Sequence, residues 1–221
     1  MYSPKRRFRL FRHPAWAGGG DQIAASLTTS LSSYTAATDG DWVKITSGEY
    51  ATLQTNVAAT SLAGTNAATY TAIGTSTNFT TGSLLFTNIV GANTPAVPAN
   101  SYIYAIAFYF NGTNSTVAVY ANDSTTSYTN FSKIGATLPT TTAGNNYYVL
   151  KNATAVTAST TGNLAMWHND NVKHGFKSLI SAGGVQYRST STPSSSTVLS
   201  SSFANSAAFS LQALTTTAKQ W

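Results

Sequence analysis

Two histidines and an aspartate lie within one seven-residue stretch, at His168, Asp170 and His174. Imidazole and carboxylate groups are the usual protein ligands of zinc and related metals. The spacing matches no zinc signature, however, and Lys173 puts a positive charge inside the set. The asparagines between them favour turns. We therefore interpret this stretch as a polar loop between two strands, and we predict neither a metal site nor a cofactor.

A second pair of candidate groups is Asp39 and Asp41, which are separated only by Gly40. Paired carboxylates serve glycoside hydrolysis or calcium binding. The whole chain has only six acidic residues, and an Asp-Gly-Asp sequence is typical of a turn. We predict turns both here and at Asp123, which follows Asn122.

Nucleophilic chemistry has no clear sequence signal either. No serine lies in a Gly-x-Ser-x-Gly motif, and the glycines form neither a P-loop nor a dinucleotide-binding fingerprint. The three histidines leave room for a Ser-His-Asp triad, although no spacing indicates one. We therefore predict that the protein is not an enzyme.

Aromatic side chains offer a third kind of site, a stacking platform for sugars. The candidates are Tyr102, Tyr104, Tyr109, Tyr120, Tyr147, Tyr148 and Trp167. At strand spacing most aromatic residues pack in a core or pair across strands. We predict core positions for most of them and keep a carbohydrate-binding patch as the alternative.

The positive charge is concentrated at the start of the chain. Five of the twelve basic residues lie within the first 14 positions, and the remaining seven nearly balance the six acids. The arm interleaves basic and large apolar side chains, with the candidate docking residues Tyr2, Arg6, Arg7, Phe8, Arg9, Leu10, Phe11, Arg12 and Trp16. Such a segment docks on a neighbouring subunit, contacts nucleic acid through phosphates and bases, or stays solvated. We favour docking, because so many large apolar groups are unusual in a solvated tail; a targeting signal is disfavoured, because no apolar stretch follows Arg7.

The composition narrows the fold class. Only 8% of residues are charged, whereas 36 Thr, 27 Ser and 17 Asn make up 80 of the 221 positions. Helix surfaces are normally rich in Glu, Lys and Arg, so a mainly helical protein is excluded. An aromatic content of 12% argues against a disordered chain. There is no cysteine, and no apolar run is long enough to span a membrane as a helix.

The local patterns predict many short strands and one short helix. The helix is expected over 47–57, with Ser47 as its N-cap and Glu49 in its first turn. Strands are expected at 42–46, 83–90, 101–110, 116–120, 128–134, 146–150, 164–167, 174–180, 185–189 and 207–214, and Asn111-Gly112 predicts a hairpin between the third and fourth of these. We predict an all-β fold, a jelly-roll-like β-sandwich body over 21–221 preceded by an extended arm over 1–20. Few lysines are available to protect the sheet edges, which suits a subunit made for assembly.

The chain resembles virion structural proteins, especially those of bacteriophages. The resemblance covers about 42–125 and rests on Trp42-Val-Lys-Ile-Thr-Ser-Gly-Glu-Tyr-Ala-Thr-Leu-Gln-Thr-Asn-Val57, on the Thr/Ser/Asn/Ala-rich composition and on the strand Ser101–Phe110. Capsid proteins of small single-stranded DNA viruses are similar in having an Arg-rich arm before a jelly roll, although their arms usually carry more arginine. The resemblance implies a jelly-roll subunit of a capsid, decoration or tail-associated layer.

Together these observations predict a non-enzymatic protein of the virion that assembles into or cements a shell. Its expected partners are copies of itself or other virion proteins, so it would be a homo-oligomer with no membrane span, and nucleic acid remains an alternative partner of the arm. The alternative function is a carbohydrate- or receptor-binding module, such as an adhesin.

Overall fold

The computed structural model describes residues 31–56, 60–62, 71–72, 84–88, 97–110, 116–124, 126–139, 141–151, 162–169, 175–178, 185–189, 193, 198, 201–203, 207–209 and 211–216. The elements, in chain order, are α1 (Leu31–Ala36), β1 (Trp42–Ile45), α2 (Ser47–Asn56), β2 (Thr60–Leu62), β3 (Thr71–Ala72), β4 (Leu84–Asn88), β5 (Tyr102–Phe110), β6 (Val117–Ala121), β7 (Ser132–Ile134), β8 (Gly144–Leu150), β9 (Leu164–His168), β10 (Gly175–Ser178), β11 (Val185–Ser189), β12 (Ser201–Phe203), β13 (Ala207–Phe209) and β14 (Leu211–Thr216). The protein is mostly β, as predicted. Two helices lie in the described ranges where one had been predicted.

The strands form two large sheets and one small sheet. The five-stranded sheet has the order β1-β8-β5-β14-β2, and the six-stranded sheet has the order β12-β11-β4-β9-β6-β7. A third sheet has the order β13-β10-β3. Neighbouring strands within these sheets pair antiparallel throughout.

The two large sheets share one apolar core. Ile106 and Phe108 of β5 and Tyr148 of β8 lie in the same buried cluster as Val119 of β6 and Met166 of β9. Side chains from two sheets therefore interdigitate, which agrees with the predicted sandwich.

The outer face of the five-stranded sheet is also covered. Tyr34 of α1 and Tyr50 and Leu53 of α2 pack on Ala107 of β5 and Val149 of β8. Helices on one side and the second sheet on the other bury β5 on both faces, as the apolar run over 101–110 predicted.

The predicted hairpin between β5 and β6 is wrong. β5 pairs with β8 and β14, whereas β6 pairs with β7 and β9 in the other sheet. Both sides of β5 are already occupied, so the next strand joins the facing sheet. The turn itself, at 111–115, lies outside the described residues.

The predicted last strand is divided. β13 joins the small sheet, and β14 lies between β5 and β2 in the five-stranded sheet. Ala105 of β5 lies opposite Leu214 of β14, and Ile103 lies opposite Thr215. Tyr104, between them, is therefore the extra residue of a β-bulge. The bulge explains why Tyr104 and Ala105, although adjacent, both lie in the cluster under the helices.

The N-cap of α2 is Thr46, and the prediction of Ser47 is wrong by one residue. Thr46 Oγ1 accepts a hydrogen bond from Glu49 N at 3.2 Å, and Glu49 Oε2 accepts one from Thr46 N at 2.8 Å. This reciprocal pair is a capping box, and it places Glu49 in the first turn as predicted. It also explains how the only glutamate of the chain is tolerated while buried.

Candidate functional site

The nine predicted docking residues of the arm, from Tyr2 to Trp16, lie outside the described residues. The first described element after the arm is α1, and it is fixed to the sheet by Tyr34. The Tyr34 ring is fully buried, and Lys151 Nζ lies 4.3 Å from its centroid. A cation over an aromatic face is attractive, so this pair holds the beginning of the body against the end of β8.

Of the three candidate metal ligands, one lies within the described residues. His168 is buried at the end of β9 with its ring 6.2 Å from that of Phe110, whereas Asp170 and His174 lie outside the described residues. Within the described ranges, no three His, Cys, Asp or Glu side chains are grouped so as to hold a metal ion.

The aspartates predicted to lie in turns are found in irregular segments. Asp41 N donates to Thr38 O at 2.9 Å, and Asp41 Oδ2 accepts from Thr38 N at 3.0 Å, which closes the turn before β1. Asp123 is exposed in the bend after β6. Asp41 and Asp123 therefore lie in turns and bends, where Asp and Asn are common.

Most of the aromatic residues considered for a sugar-stacking platform lie in the core. Tyr104, Tyr120, Tyr148 and Trp167 are buried, as the core interpretation predicted. Tyr109 and Tyr147 are half-buried on the outer face of the five-stranded sheet, on neighbouring strands with Tyr109 opposite Asn145 and Tyr147 opposite Ala107. Tyr147 also contacts Tyr50, with ring centroids 5.4 Å apart.

One end of the sandwich is held together by two buried asparagines, Asn122 and Asn163. Asn122 Oδ1 accepts from Asn163 N at 2.8 Å and from Ser124 N at 3.3 Å. Asn122 Nδ2 donates to Ser127 O at 2.8 Å and to Thr129 O at 3.1 Å. The Asn122 side chain thus contacts the loop between β6 and β7 at three residues and ties it to the residue before β9.

The same end includes a third segment. Val97 and Gly162 exchange two backbone hydrogen bonds, of 2.9 and 3.0 Å. A Cβ at Gly162 would overlap the backbone carbonyl of Asn122, so only glycine allows the chain to pass this close. Hydrogen bonds therefore join three connecting segments into one surface, which we call the loop end (97–101, 122–124 with 126–131, and 162–163).

The exposed side chains of the loop end are small and polar. They include Asp123, Thr126, Ser127 and Asn130, and none is basic. Asn130 adopts a φ of 57°, a conformation that asparagine tolerates better than most residues. The exposed side chains of the loop end therefore offer hydrogen-bonding groups and one negative charge, that of Asp123.

A second connection joins the two large sheets at their edges. Trp42 Nε1 of β1 donates to the Ile134 carbonyl of β7 at 3.1 Å, and Ala136 N donates to Gly40 O at 2.7 Å. Gly135 lies between them with a φ of 66°, and a Cβ there would come within 2.9 Å of Trp42 Nε1. We call these contacts the edge clasp.

No protein-family model, curated protein or solved structure matches the chain. None of the helices that the structure describes is long and apolar enough to cross a membrane.

Proposed function

We propose that the chain is a non-enzymatic structural protein of a virion, with a jelly-roll body and an N-terminal arm that together assemble or cement a shell. The strand order is the observation that carries the jelly-roll part of this proposal. Eight strands, β2, β4, β5, β6, β7, β8, β9 and β14, are lettered B to I in chain order. The two large sheets then contain the runs B-I-D-G and C-H-E-F. This is the order expected of a jelly roll, a fold used by viral capsid subunits.

The remaining strands fit as additions to that framework. β1 extends the first sheet beyond β8, and β11 and β12 extend the second sheet beyond β4. β3, β10 and β13 form the small separate sheet. Additions at edges and in connections leave the eight-stranded framework intact.

The charge distribution supports the assembly part of the proposal. The arm has five basic residues, whereas the rest of the chain is nearly neutral. A neutral body approaches copies of itself without strong repulsion, and a basic, aromatic arm has both the charge and the apolar area to dock on a neighbour.

The experiment is to measure the mass of the purified full-length protein by light scattering, with nucleic acid removed, at low and high salt. We expect defined oligomers or particles that weaken in high salt, because exposed charges are screened. Changing Arg6, Arg7, Arg9 and Arg12 to glutamine should lower the mass, whereas changing Lys44, Lys133 and Lys151 to glutamine should not. A monomer in both salts, for the unmodified chain, would overturn self-assembly.

A second candidate function is a carbohydrate-binding module, because lectins also use jelly rolls. Three of the candidate platform residues are half-buried and favour it, namely Tyr102, Tyr109 and Tyr147. Binding of the unmodified protein to a glycan array, lost on Tyr109→Ala and kept on Tyr120→Phe, would support this function over assembly.

A further inference from the structure

The outermost strands of the two large sheets differ in charge. On one side of the sandwich, β1 carries the exposed Lys44 and β7 carries the exposed Lys133. On the other side, β2 and β12 consist only of Thr, Ser, Leu and Phe. Edge strands present backbone groups that can pair with another chain, and lysine is a common means of preventing this. Lysines therefore protect the two described edge strands on one side of the sandwich, whereas the two described edge strands on the other side carry no charge.

The protected side is also closed by contacts. The edge clasp joins the backbone of β7 to β1 through Trp42 and connects Gly40 with Ala136. Pairing of another strand with β1 or β7 would compete with these bonds.

Among the uncharged edges, β12 is the best suited to pairing. β2 lies beside the β-bulge shared by β5 and β14, which increases local twist and disturbs a flat edge. β3 and β13 belong to the small sheet and contact β5 and β11 of the large sheets, so they face the sandwich itself. β12 pairs with β11 in regular register from Val185–Phe203 to Tyr187–Ser201, and β11 is its only partner among the described strands.

We propose that two copies of this chain pair through β12, edge to edge and antiparallel, across a two-fold axis. This inference rests on the proposed function, because a shell subunit must bind its own copies. In a two-fold contact each strand meets itself, so any charge on it meets a like charge. Pairing through β1 or β7 would oppose Lys44 or Lys133 to its own copy, whereas β12 brings only uncharged residues together. Main-chain hydrogen bonds supply the attraction, as in other cases of strand addition.

The test uses Ser202→Lys in the full-length protein, followed by sedimentation velocity over a concentration series. We expect the dissociation constant of self-association to rise about tenfold or more, because two lysines then face each other in a pairing surface. Ser132→Lys on β7 is the matched control, since it makes the same change on an edge strand. It should leave the dissociation constant unchanged. Circular dichroism and thermal melting confirm that both variants fold.

A second measurement does not depend on weakening the contact. The chain has no cysteine, so single cysteines at Ser201, Ser202 or Phe203 are the only thiols present. Under mild oxidation, at least one of the three should give a covalent dimer, and Ser132→Cys should not. Covalent dimers at none of the three positions, or a Ser202→Lys variant that associates like the unmodified chain, would overturn the β12 contact while leaving shell assembly standing. An unmodified chain that stays monomeric would instead overturn self-assembly, the part of the proposed function on which this inference rests.

Discussion

Trp42 and Ile134 lie in different sheets and are joined by one hydrogen bond, from the indole Nε1 to the Ile134 carbonyl, of 3.1 Å. Both side chains also belong to the core between the sheets. A buried carbonyl depends on its donor, because an unsatisfied polar group in a core costs more than a typical hydrogen bond contributes.

We expect Trp42→Phe to lower the free energy of unfolding by about 2–3 kcal/mol, because this buried hydrogen bond is lost and the ring is smaller. Urea denaturation followed by circular dichroism measures this loss. A change below about 0.5 kcal/mol would mean that water replaces the indole donor and that the edge clasp does not hold the sheets together.

Asn122→Asp tests the loop end. The substitution keeps the shape of the side chain but removes the two N–H donors to Ser127 O and Thr129 O. It also places carboxylate oxygens against carbonyl oxygens. We expect a loss of at least about 2 kcal/mol in the free energy of unfolding, measured by urea denaturation.

The control for that variant is Asn130→Asp. Asn130 is exposed in the same loop and its φ of 57° is tolerated by aspartate as well. We expect a change within about 0.5 kcal/mol. Equal losses for the two variants would show that negative charge, not the lost hydrogen bonds, determines the effect.

Gly162→Ala tests the close approach of two segments at the loop end. A methyl group there would overlap the Asn122 carbonyl, so the backbone must move. We expect a loss of about 3 kcal/mol or more. Gly48→Ala is the matched control, because the nearest atom to its Cβ is Thr46 Oγ1 at 4.0 Å and the position is helical. Thermal melting should show Gly48→Ala to be neutral or more stable, by up to about 1 kcal/mol.

Buried tyrosines make stability depend on alkaline pH. Burial raises the pKa of Tyr50 far above its ordinary value of 10.0, and repulsion from the negative charge of ionised Tyr104 and Tyr147 raises it further. Burial also raises the pKa of Tyr104 and Tyr148. The unfolded chain therefore releases these protons first, so the stability they contribute is fully present below pH 10.0 and is lost as the pH rises above it.

For each such tyrosine the free energy of unfolding should fall by about 1.4 kcal/mol per pH unit in that range. Tyr50→Phe should reduce the slope of the free energy of unfolding against pH by about 1.4 kcal/mol per pH unit. At neutral pH it should cost little, because the Tyr50 hydroxyl has no hydrogen-bond partner in the described part of the chain. Urea denaturation below and above pH 10.0 measures both effects, and an unchanged alkaline slope would contradict the burial of this hydroxyl.

Sequence patterns predicted the bounds of individual helices and strands better than they predicted which strands pair with each other. The apolar run of β5 and the helix signal of α2 both depend on nearby residues, and both elements were found close to their predicted bounds. The hairpin after β5 failed because Asn111-Gly112 indicates a turn but does not indicate which sheet the next strand joins. That choice depends on β8 and β14, which come much later in the chain.

The loop end was missed for a similar reason. Asn122 was predicted to serve a local turn, and it does contact Ser124. A further partner, Asn163, is 41 residues away, and no local pattern connects the two. The residue type alone does not distinguish an asparagine that is buried and bonds distant backbone groups from one that caps an exposed turn.

The stacking of Lys151 on Tyr34 has a mechanical consequence. A force applied to residues 1–30 would enter the described body at α1, where Tyr34 is buried and lies under Lys151. The load then passes to the end of β8, a strand hydrogen-bonded along both sides, by β1 and by β5. A strand that is hydrogen-bonded on both sides distributes an applied force over many hydrogen bonds. A force on the arm is therefore resisted by the sheet as a whole before a single strand detaches.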